Sequence, residues 1–305
     1  PAVLAAASDS GTTGDNTTSD TTPTINGTGA TAGDVITVTT PKGEVLTATV
    51  AGDGSWSVTP TIAFDEGGNN VSVTATDPVG NTSAATTLAL VIDTAASTAP
   101  SATLAVASDS GTPGDNVTTD TTPSLAGTGA TAGDTITVTT PKGEVLTATV
   151  AGDGTWSVTP TVAFDEGSNN VSVTATDPAG NVSAATTLAL VIDNAAPAAP
   201  PATLAAASDT GAAGDGTTND TTPAIAGTGA TAGDTITVTT PKGEVLTATV
   251  AGDGSWSVTP TVAFDEGSNN VSVTATDPAG NVSAATTLAL VIDTAAPAAP
   301  PAVLA

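Results

Sequence analysis

The sequence predicts an all-β protein made of three tandem antiparallel β-sandwich domains. Its 305 residues repeat with a period of 100 and no drift, so that Trp56, Trp156 and Trp256 align. A unit of that length is too long for a solenoid repeat and has the usual size of an independent domain. Within each unit, short segments alternate apolar residues with threonines, and glycine, proline and aspartate separate the segments. This pattern predicts strands joined by tight turns, with no helical period.

The second repeat predicts seven strands at a spacing of about 8–14 residues. They cover residues 103–107, 123–127, 136–138, 146–150, 156–158, 171–175 and 186–192. Asp153 and Gly154 supply the positive φ of a two-residue hairpin, and residues 141–144 form another tight turn. Seven short strands connected in this way indicate an immunoglobulin-like sandwich.

Proline-rich linkers such as residues 195–201 separate the repeats and are short and semi-rigid. We place the domains at residues 1–96, 97–196 and 197–296, and residues 297–305 begin the next linker or repeat. The linkers lead us to expect that the three domains form an elongated rod. Many inward side chains are alanines, so packing alone leaves a thin margin of stability. We assign the single tryptophan and phenylalanine of each domain to its core, because both lie on apolar faces.

Composition and charge exclude several classes of protein. The net charge is −27, the opposite of a nucleic-acid-binding surface and unfavourable at an anionic membrane. No apolar run approaches the length of a membrane span, so we expect no membrane insertion. Cysteine and histidine are absent, which excludes disulfides and a zinc site and leaves no catalytic nucleophile with a base. We expect a monomer without enzymatic activity, and a fragment of a longer protein because the chain starts inside a repeat.

An aspartate-rich loop follows the first strand of each repeat. In the second repeat it spans residues 108–123 and places Asp109, Asp115 and Asp120 close together, with no basic residue nearby. Unpaired carboxylates held this close repel one another, so the fold needs a counter-charge. Calcium binds about 6–8 oxygen ligands, and glycine turns let backbone carbonyls face the ion beside the carboxylates. The loop therefore predicts a calcium site, which Asp165 or Glu166 completes.

Acidic residues at the ends of each domain predict a second kind of site. Successive loops of a sandwich lie at alternate ends, so Asp93 leaves the first repeat where the second repeat presents Asp134 and Asp177. We expect these three residues to meet across the first joint and to bind calcium there. The second joint has the equivalent residues Asp193, Asp234 and Asp277.

The predicted calcium ligands occupy six equivalent positions in each repeat. They are Asp9, Asp15, Asp20, Asp65, Asp77, Asp93, Asp109, Asp115, Asp120, Asp165, Asp177, Asp193, Asp209, Asp215, Asp220, Asp265, Asp277 and Asp293. The alternative is a solvated acidic loop, because Asp, Gly, Asn and Thr are ordinary turn formers. Asp153 is assigned to a turn alone, and Glu144, beside Lys142, to the surface. The spacing is not that of an EF-hand, whose ligands alternate and end in a glutamate.

The ordered motifs of each repeat resemble a known family. The second repeat contains Ser-Asp-Ser-Gly-x-x-Gly-Asp-Asn-x-Thr-x-Asp-x-Thr-Pro, then Gly-Asp-Gly-Thr-Trp-Ser-Val-Thr-Pro and Val-Thr-Ala-Thr-Asp-Pro-Ala-Gly-Asn-Val-Ser. This set is similar to the bacterial immunoglobulin-like repeats in the extender region of type I-secreted RTX and biofilm-associated adhesins of Gram-negative bacteria. The resemblance implies calcium in loops and at domain junctions, stiffening of a long stalk, and display from the outer membrane.

The leading hypothesis is therefore a calcium-stabilised structural spacer of a cell-surface adhesin. Its partners would be calcium ions and the neighbouring repeats, and it would project a distal adhesive domain away from the cell. The competing hypothesis is a module that itself binds a glycan or a protein. Sugar sites usually offer exposed aromatic side chains, so the position of the tryptophan and phenylalanine discriminates between the two.

Overall fold

The computed structural model describes residues 1–300, so the end of the predicted segment 297–305 lies outside the described residues. The chain divides into two compact units. The first holds Pro1–Ala105, Ser124–Ala163 and Asn170–Ala189, and the second holds Val106–Pro123, Phe164–Asn169 and the described chain from residue 190 onward. Each unit contains one whole repeat and part of the second repeat. The domain limits given above stay a prediction.

The first repeat is a sandwich of a five-stranded and a three-stranded sheet. Its strands are Ala2–Leu4 (β1), Thr17–Thr18 (β2), Ile25–Gly27 (β3), Val35–Thr39 (β4), Val45–Thr49 (β5), Trp56–Val58 (β6), Gly67–Thr76 (β7) and Thr86–Ile92 (β8). The larger sheet has the order β2-β8-β7-β4-β5, and the smaller has the order β1-β3-β6. All the paired strands are antiparallel, as predicted, except that β2 runs parallel to the end of β8.

The second repeat contributes strands to both units. They are Thr103–Leu104 (β9), Val117–Thr118 (β10), Leu125–Gly127 (β11), Thr135–Thr139 (β12), Val145–Thr149 (β13), Trp156–Val158 (β14), Gly167–Thr176 (β15) and Thr186–Ile192 (β16). In the first unit, β11 pairs with β9 and β14, and β12 pairs with β13 and β15. In the second unit, β10 pairs in parallel with the last residues of β16.

The third repeat lies in the second unit and has the architecture of the first. Its strands are Thr203–Leu204 (β17), Thr217–Thr218 (β18), Ile225–Gly227 (β19), Thr235–Thr239 (β20), Val245–Thr249 (β21), Trp256–Val258 (β22), Gly267–Thr276 (β23) and Thr286–Ile292 (β24). The sheets have the orders β18-β24-β23-β20-β21 and β17-β19-β22. Among residues 1–300 there is no helix long and apolar enough to cross a membrane.

The structure differs from the predicted elements in several places. The strands predicted at residues 103–107 and 123–127 are shorter and cover Thr103–Leu104 and Leu125–Gly127. Each repeat has eight strands rather than seven, because a strand of two residues, such as Thr17–Thr18, forms inside the aspartate-rich loop. The strand Gly67–Thr76 also begins earlier than predicted. Its start is stabilised by the buried side chain of Asn69, whose amide donates to the carbonyl oxygens of Asp65 and Gly67 at 2.8 and 2.9 Å.

The sheets of the first repeat enclose one apolar core. Ile25, Val38 and Val71 have no exposed surface and come from β3, β4 and β7. Trp56 and Phe64 are buried in the same cluster, which confirms that the aromatic residues belong to the core. The third repeat has an equivalent core. Alternating inward residues thus build the sandwich and leave the turns at its ends free to carry the acidic residues.

Candidate metal centre

Three carboxylates from two repeats line one cavity at the first joint. Asp93 follows β8, whereas Asp134 precedes β12 and Asp177 follows β15. The cavity has a volume of about 340 Å³, and residues 95–98, 131–132 and Pro178 form the rest of its wall. The structure therefore brings together the three residues that the sequence placed at this joint.

Asp134 is the most deeply buried of these carboxylates, with 2 % of its surface exposed. Its main chain is held by two hydrogen bonds: its N–H donates to Thr131 at 3.1 Å, and its carbonyl oxygen accepts from Val150 at 2.8 Å. Its side chain differs, because Oδ2 is buried and has no hydrogen-bond partner among the described residues. A charge buried without a partner destabilises the folded state. The position of this oxygen is therefore unfavourable for a charged carboxylate.

Burial raises the pKa of Asp134 above its ordinary value. The Ser97 hydroxyl beside it acts in the opposite direction, and the negative charges of Asp177 and Asp93 raise the pKa further. Ser97 Oγ is itself buried and makes no hydrogen bond of good geometry. The carboxylate is thus largely buried and lies near like charges, and both conditions disfavour its charged form.

The second joint, inside the second unit, has an equivalent buried carboxylate, although proline replaces Ser97 at position 197. Asp234 is 2 % exposed, and its Oδ2 is buried without a hydrogen-bond partner in the described chain. Burial raises the pKa of Asp234, and the negative charges of Asp277 and Asp193 raise it further. Both joints therefore contain the same buried, unpaired carboxylate.

The turn at residues 177–181 links the carboxylate of Asp177 to the main chain of Asp93 across the first joint. Asp177 Oδ1 accepts a hydrogen bond from the backbone N–H of Asn181 at 2.9 Å, and its Oδ2 accepts one from the side-chain amide at 2.9 Å. The same amide donates to the carbonyl oxygen of Asp93 at 2.8 Å. Asn181 therefore holds together residues from opposite sides of the joint. Asn281 makes the same bonds at the second joint.

The aspartates of the aspartate-rich loop cap the loop's own backbone. In the first repeat, Asp9, Asp15 and Asp20 accept hydrogen bonds at 2.6, 2.8 and 2.9 Å from backbone N–H groups within the loop. Asp9 Oδ1 is nevertheless buried without a hydrogen-bond partner in the part of the chain that the structure describes, and the same is true of Asp109 Oδ1 and Asp209 Oδ1 in the other loops. The capping bonds are those of an ordinary acidic turn. The buried oxygen is not a feature of an ordinary acidic turn, because a solvated turn would leave that oxygen in contact with water.

Asp65 has a different partner from the one that the sequence predicted. Its carboxylate pairs with Lys42 Nζ at 2.7 Å, and the equivalent pair of the third repeat is 2.8 Å apart. Glu66 accepts hydrogen bonds from the backbone N–H and the hydroxyl of Thr94 at 3.1 and 2.9 Å. In the first repeat a lysine and the segment after β8 therefore engage the two carboxylates that were expected to complete the loop site.

Sequence reasoning missed a role for Glu144, which it assigned to the surface. Its Oε1 accepts hydrogen bonds from the hydroxyl and the backbone N–H of Thr161 at 2.6 and 3.0 Å, and Oε2 accepts one from Val162 at 3.2 Å. The bond from the Thr161 hydroxyl is the largest cause that lowers the pKa of Glu144. The glutamate therefore anchors the loop after β14. A separation of seventeen residues matches no local motif.

The donor atoms at the joints and in the loops are oxygens, which suits calcium. Buried carboxylate oxygens without a partner occur at both places. Within residues 1–300, no group of three or more acidic side chains is close enough to hold one ion among them. A calcium ion at the first joint would therefore take part of its ligands from backbone carbonyls and water. With that condition, the residues present fit the ion.

Solved structures similar to this chain include bacterial adhesins. A structure on the host cell-surface retention of a 1.5-MDa bacterial ice-binding adhesin is 27 % identical, with 93 % of this chain and 95 % of that chain covered and a TM-score of 0.38. A Ca²⁺-stabilized adhesin that helps an Antarctic bacterium reach out and bind ice is 30 % identical, with 95 % and 75 % covered and a TM-score of 0.37. A tetra-tandem repeat in the extending region of a large adhesion protein is 27 % identical, with 91 % and 72 % covered and a TM-score of 0.29. Because these TM-scores are low, we draw no conclusion from the likeness.

No curated protein matches the sequence. The model of the bacterial Ig-like domain, in contrast, matches residues 1–94, 96–194 and 196–294. There is one match for each repeat, and together they cover nearly the whole chain. The sandwich sheets described above agree with these matches. The chain belongs to the bacterial Ig-like domain family.

Proposed function

We propose that this chain is a structural spacer of a bacterial surface adhesin, in which calcium ions stabilise the joints between repeats. The observation that carries the proposal is the buried, unpaired carboxylate oxygen of Asp134, which recurs in Asp234. A buried charge without a partner destabilises the folded chain, and a divalent cation removes that penalty. Docking of two repeats creates the need for the ion, and the ion in turn favours docking.

The ion at each joint would be held by carboxylates of two repeats together with backbone carbonyls and water, because no three of the described acidic side chains are close enough to hold one ion alone. The candidate carboxylates are Asp93, Asp134 and Asp177 at the first joint, and Asp193, Asp234 and Asp277 at the second. Calcium bound there supplies positive charge to carboxylates from both sides of a joint. Because the set is complete only when the repeats are in contact, the ion stabilises the docked state by RT ln(1 + [L]/Kd). Without the ion, repulsion between the carboxylates opposes docking.

A second class of site would lie in the aspartate-rich loops. Asp9 supplies a buried, unpaired oxygen there, and Asp15 and Asp20 lie on the same loop. Glycines such as Gly14 have a positive φ and allow the backbone to turn closely around the carboxylates. An ion in this loop would fix its shape. The equivalent residues are Asp109, Asp115, Asp120, Asp209, Asp215 and Asp220.

We place the spacer on the surface of a Gram-negative bacterium because its motifs resemble those of adhesin extender repeats. Stiff joints would turn tandem domains into an elongated rod that projects a distal adhesive domain from the cell. Low cytosolic calcium would leave the joints weaker until the chain is exported. The neighbouring repeats of the same chain would be the spacer's protein partners.

No observation favours the alternative function, a module that itself binds a glycan or a protein. Sugar sites usually present aromatic side chains to solvent. The three tryptophans and three phenylalanines of this chain are all buried in the described structure. The acidic joints are the better-supported functional feature.

The test of the spacer is calorimetric melting of the whole chain in millimolar calcium, and in EDTA with magnesium added. We expect a higher melting temperature in calcium, because the ion binds only the folded state. Magnesium is the matched control, since it demands near-octahedral geometry and retains its waters. Titration calorimetry of calcium-free protein, after removal of the EDTA, counts the ions. Equal melting temperatures in the two solutions would exclude structural calcium and, with it, the proposed function.

A further inference from the structure

Consecutive repeats also contact each other through groups that carry no charge. In the first joint the tip of the aspartate-rich loop, residues 10–12, lies on the turn 178–180 of the next repeat. Ser10 Oγ donates a hydrogen bond to the Ala179 carbonyl oxygen at 2.5 Å, and the Thr12 N–H donates to the Pro178 carbonyl oxygen at 2.8 Å. The second joint has the same two bonds at 2.6 and 2.8 Å. We call this the loop–turn contact, and none of its donors or acceptors requires a cation.

Gly11, at the centre of the loop tip, is too close to the turn for a side chain to fit. A Cβ at this position would overlap the Pro178 carbonyl oxygen and lie 2.5 Å from the backbone nitrogen of Gly180. Both neighbours are backbone atoms, which cannot rotate out of the way. Gly111 has the same relation to the turn of the third repeat. The loop side of the contact therefore requires a residue without a side chain.

The turn side of the contact is equally restricted. Ala179 and Ala279 have no exposed surface, and Ala179 does not line the cavity beside it. The equivalent residue of the first repeat is Val79, which is 84 % exposed in the described structure. Two additional methyl groups at position 179 would enter a closed contact. Overpacking of this kind is destabilising.

We propose that the residue at this position of the turn determines which repeats dock end to end. Alanine at 179 or 279 accepts a Ser-Gly-Thr loop tip, whereas the valine at 79 prevents docking in that geometry. Gly11 and Ala179 form a complementary pair of small residues, one from each repeat. The compatibility of neighbouring repeats is then encoded by residue size, separately from calcium. This proposal does not rest on the spacer function or on a metal.

The substitution Ala179→Val places the residue of the first repeat in the first joint. The chain has no cysteine, so Thr87→Cys and Thr187→Cys, at exposed equivalent positions of two repeats, accept spin labels without background. Pulsed EPR then measures the distance distribution between the labels, in calcium and in EDTA. We expect one narrow distribution without further substitution. Ala179→Val should broaden it and lower the docked fraction at least about fivefold.

Two controls separate the contact from other effects. Val79→Ala makes the reverse exchange where the side chain is exposed, and should leave the distribution unchanged. Gly11→Ala and Gly43→Ala both place a side chain at positive φ, +71° and +80°, but a Cβ on Gly43 has no neighbour within 4 Å. Gly11→Ala should undock the joint, whereas Gly43→Ala should not. The fluorescence of the core tryptophans reports whether Ala179→Val folds. If it does not fold, the comparison of the two glycine variants tests the proposal.

Three results would overturn the proposal. The first is an Ala179→Val distribution that matches the unsubstituted one in both solutions. The second is an equal effect of Gly11→Ala and Gly43→Ala, which would assign the change to backbone strain. The third is a broad distribution of the unsubstituted chain in both calcium and EDTA, because the contact would then not form in solution.

Discussion

The turn after the long strand has nearly the same sequence in the first and second repeats but different surroundings. Val79 is largely exposed, whereas Ala179 is completely buried beneath a loop of the preceding repeat. The same holds for the acidic residue nearby, since Asp34 is half-buried and Asp134 is buried. The two repeats share their fold. The burial of Asp134 therefore arises from the neighbouring repeat and not from its own domain.

This difference shows where the unfavourable burial of a carboxylate originates. An end without a docked repeat keeps its carboxylates near water, where they are tolerated. Docking removes water from one of them and brings others of like charge close to it. The neutral loop–turn contact favours docking, and the carboxylates oppose it. A calcium ion would turn the opposition of the carboxylates into a contribution that favours docking, and it would leave the loop–turn contact unchanged.

The largest effect that tests this comparison is expected from Asp134→Asn, with Asp34→Asn as the matched control. In EDTA, removing the buried charge should raise the free energy of unfolding by about 1–3 kcal/mol. The control should be close to neutral, because Asp34 is not fully buried. In calcium the stabilisation should disappear, since a ligand has been lost. Calorimetric melting measures both variants, and similar shifts for the two would contradict the assignment of the burial to the joint.

A second prediction concerns acid. Burial raises the pKa of Asp134 and Asp234 above the ordinary value of 3.8. Their neutral forms are therefore favoured in the folded state, a stabilisation that is present below the ordinary pKa and is lost as pH rises through the folded one. In EDTA, the advantage of the double variant Asp134→Asn/Asp234→Asn over the natural chain should shrink as the pH falls toward about 4.

Acid also affects carboxylates away from the joints, in the opposite direction. Hydrogen bonds lower the pKa of Asp77 and Glu144, with those from Asn81 and Thr161 the largest causes, so that acid removes stability there. These residues are the same in the double variant and in the natural chain. Their contribution therefore cancels when the stability of one is subtracted from that of the other. An advantage that stays constant down to acid pH would show that Asp134 and Asp234 are not the titrating groups.

Much of the fold and the meeting of the joint residues follow from the sequence. Alternation along the strands identifies the core, and the reversal of the chain at each loop places Asp93 at the end of the repeat that faces Asp134 and Asp177. Two-residue strands such as Thr17–Thr18 escape this reasoning because they have no period. Their parallel pairing with the last strand follows from the path of the loop.

The partners of isolated charges were harder to predict. The pair between Lys42 and Asp65 joins two turns far apart in sequence, and Glu144 reaches a threonine on another loop. Such pairs depend on which turns lie side by side across the sheet, which residue types do not reveal. The contact between Gly11 and Ala179 could not be predicted from the sequence for the same reason. Their size matters only once two repeats are in contact.

A smaller effect is expected from Asn181→Ala compared with Asn81→Ala. Both asparagines donate from the side chain to the aspartate of their own turn, but only Asn181 also bonds the carbonyl oxygen of Asp93. The difference between the variants therefore isolates one hydrogen bond across the joint, which contributes about 0.5–1.5 kcal/mol. Melting in EDTA measures it without calcium. Equal losses would show that the bond across the joint contributes nothing measurable.

The smallest difference between the repeats is expected at three equivalent glutamates that make the same hydrogen bonds in each repeat. Glu44, Glu144 and Glu244 make the same hydrogen bonds to a threonine on a loop of their own repeat, with the hydroxyl at 2.6 Å in each case. Replacing each glutamate by glutamine weakens these bonds, because the amide oxygen carries no charge and one carboxylate acceptor becomes a donor. The melting temperature should therefore fall by a similar, small amount in all three single variants.

This equality also checks the comparison between the ends of the repeats. If Glu44→Gln lowered the melting temperature as much as Glu144→Gln while Asp34→Asn and Asp134→Asn differed, the contrast would be confined to the joint. If all pairs of variants differed between the two repeats, the first repeat would have a different stability as a whole. The burial of Asp134 would then not be the cause of its distinct behaviour, and the calcium proposal would have to rest on the loops.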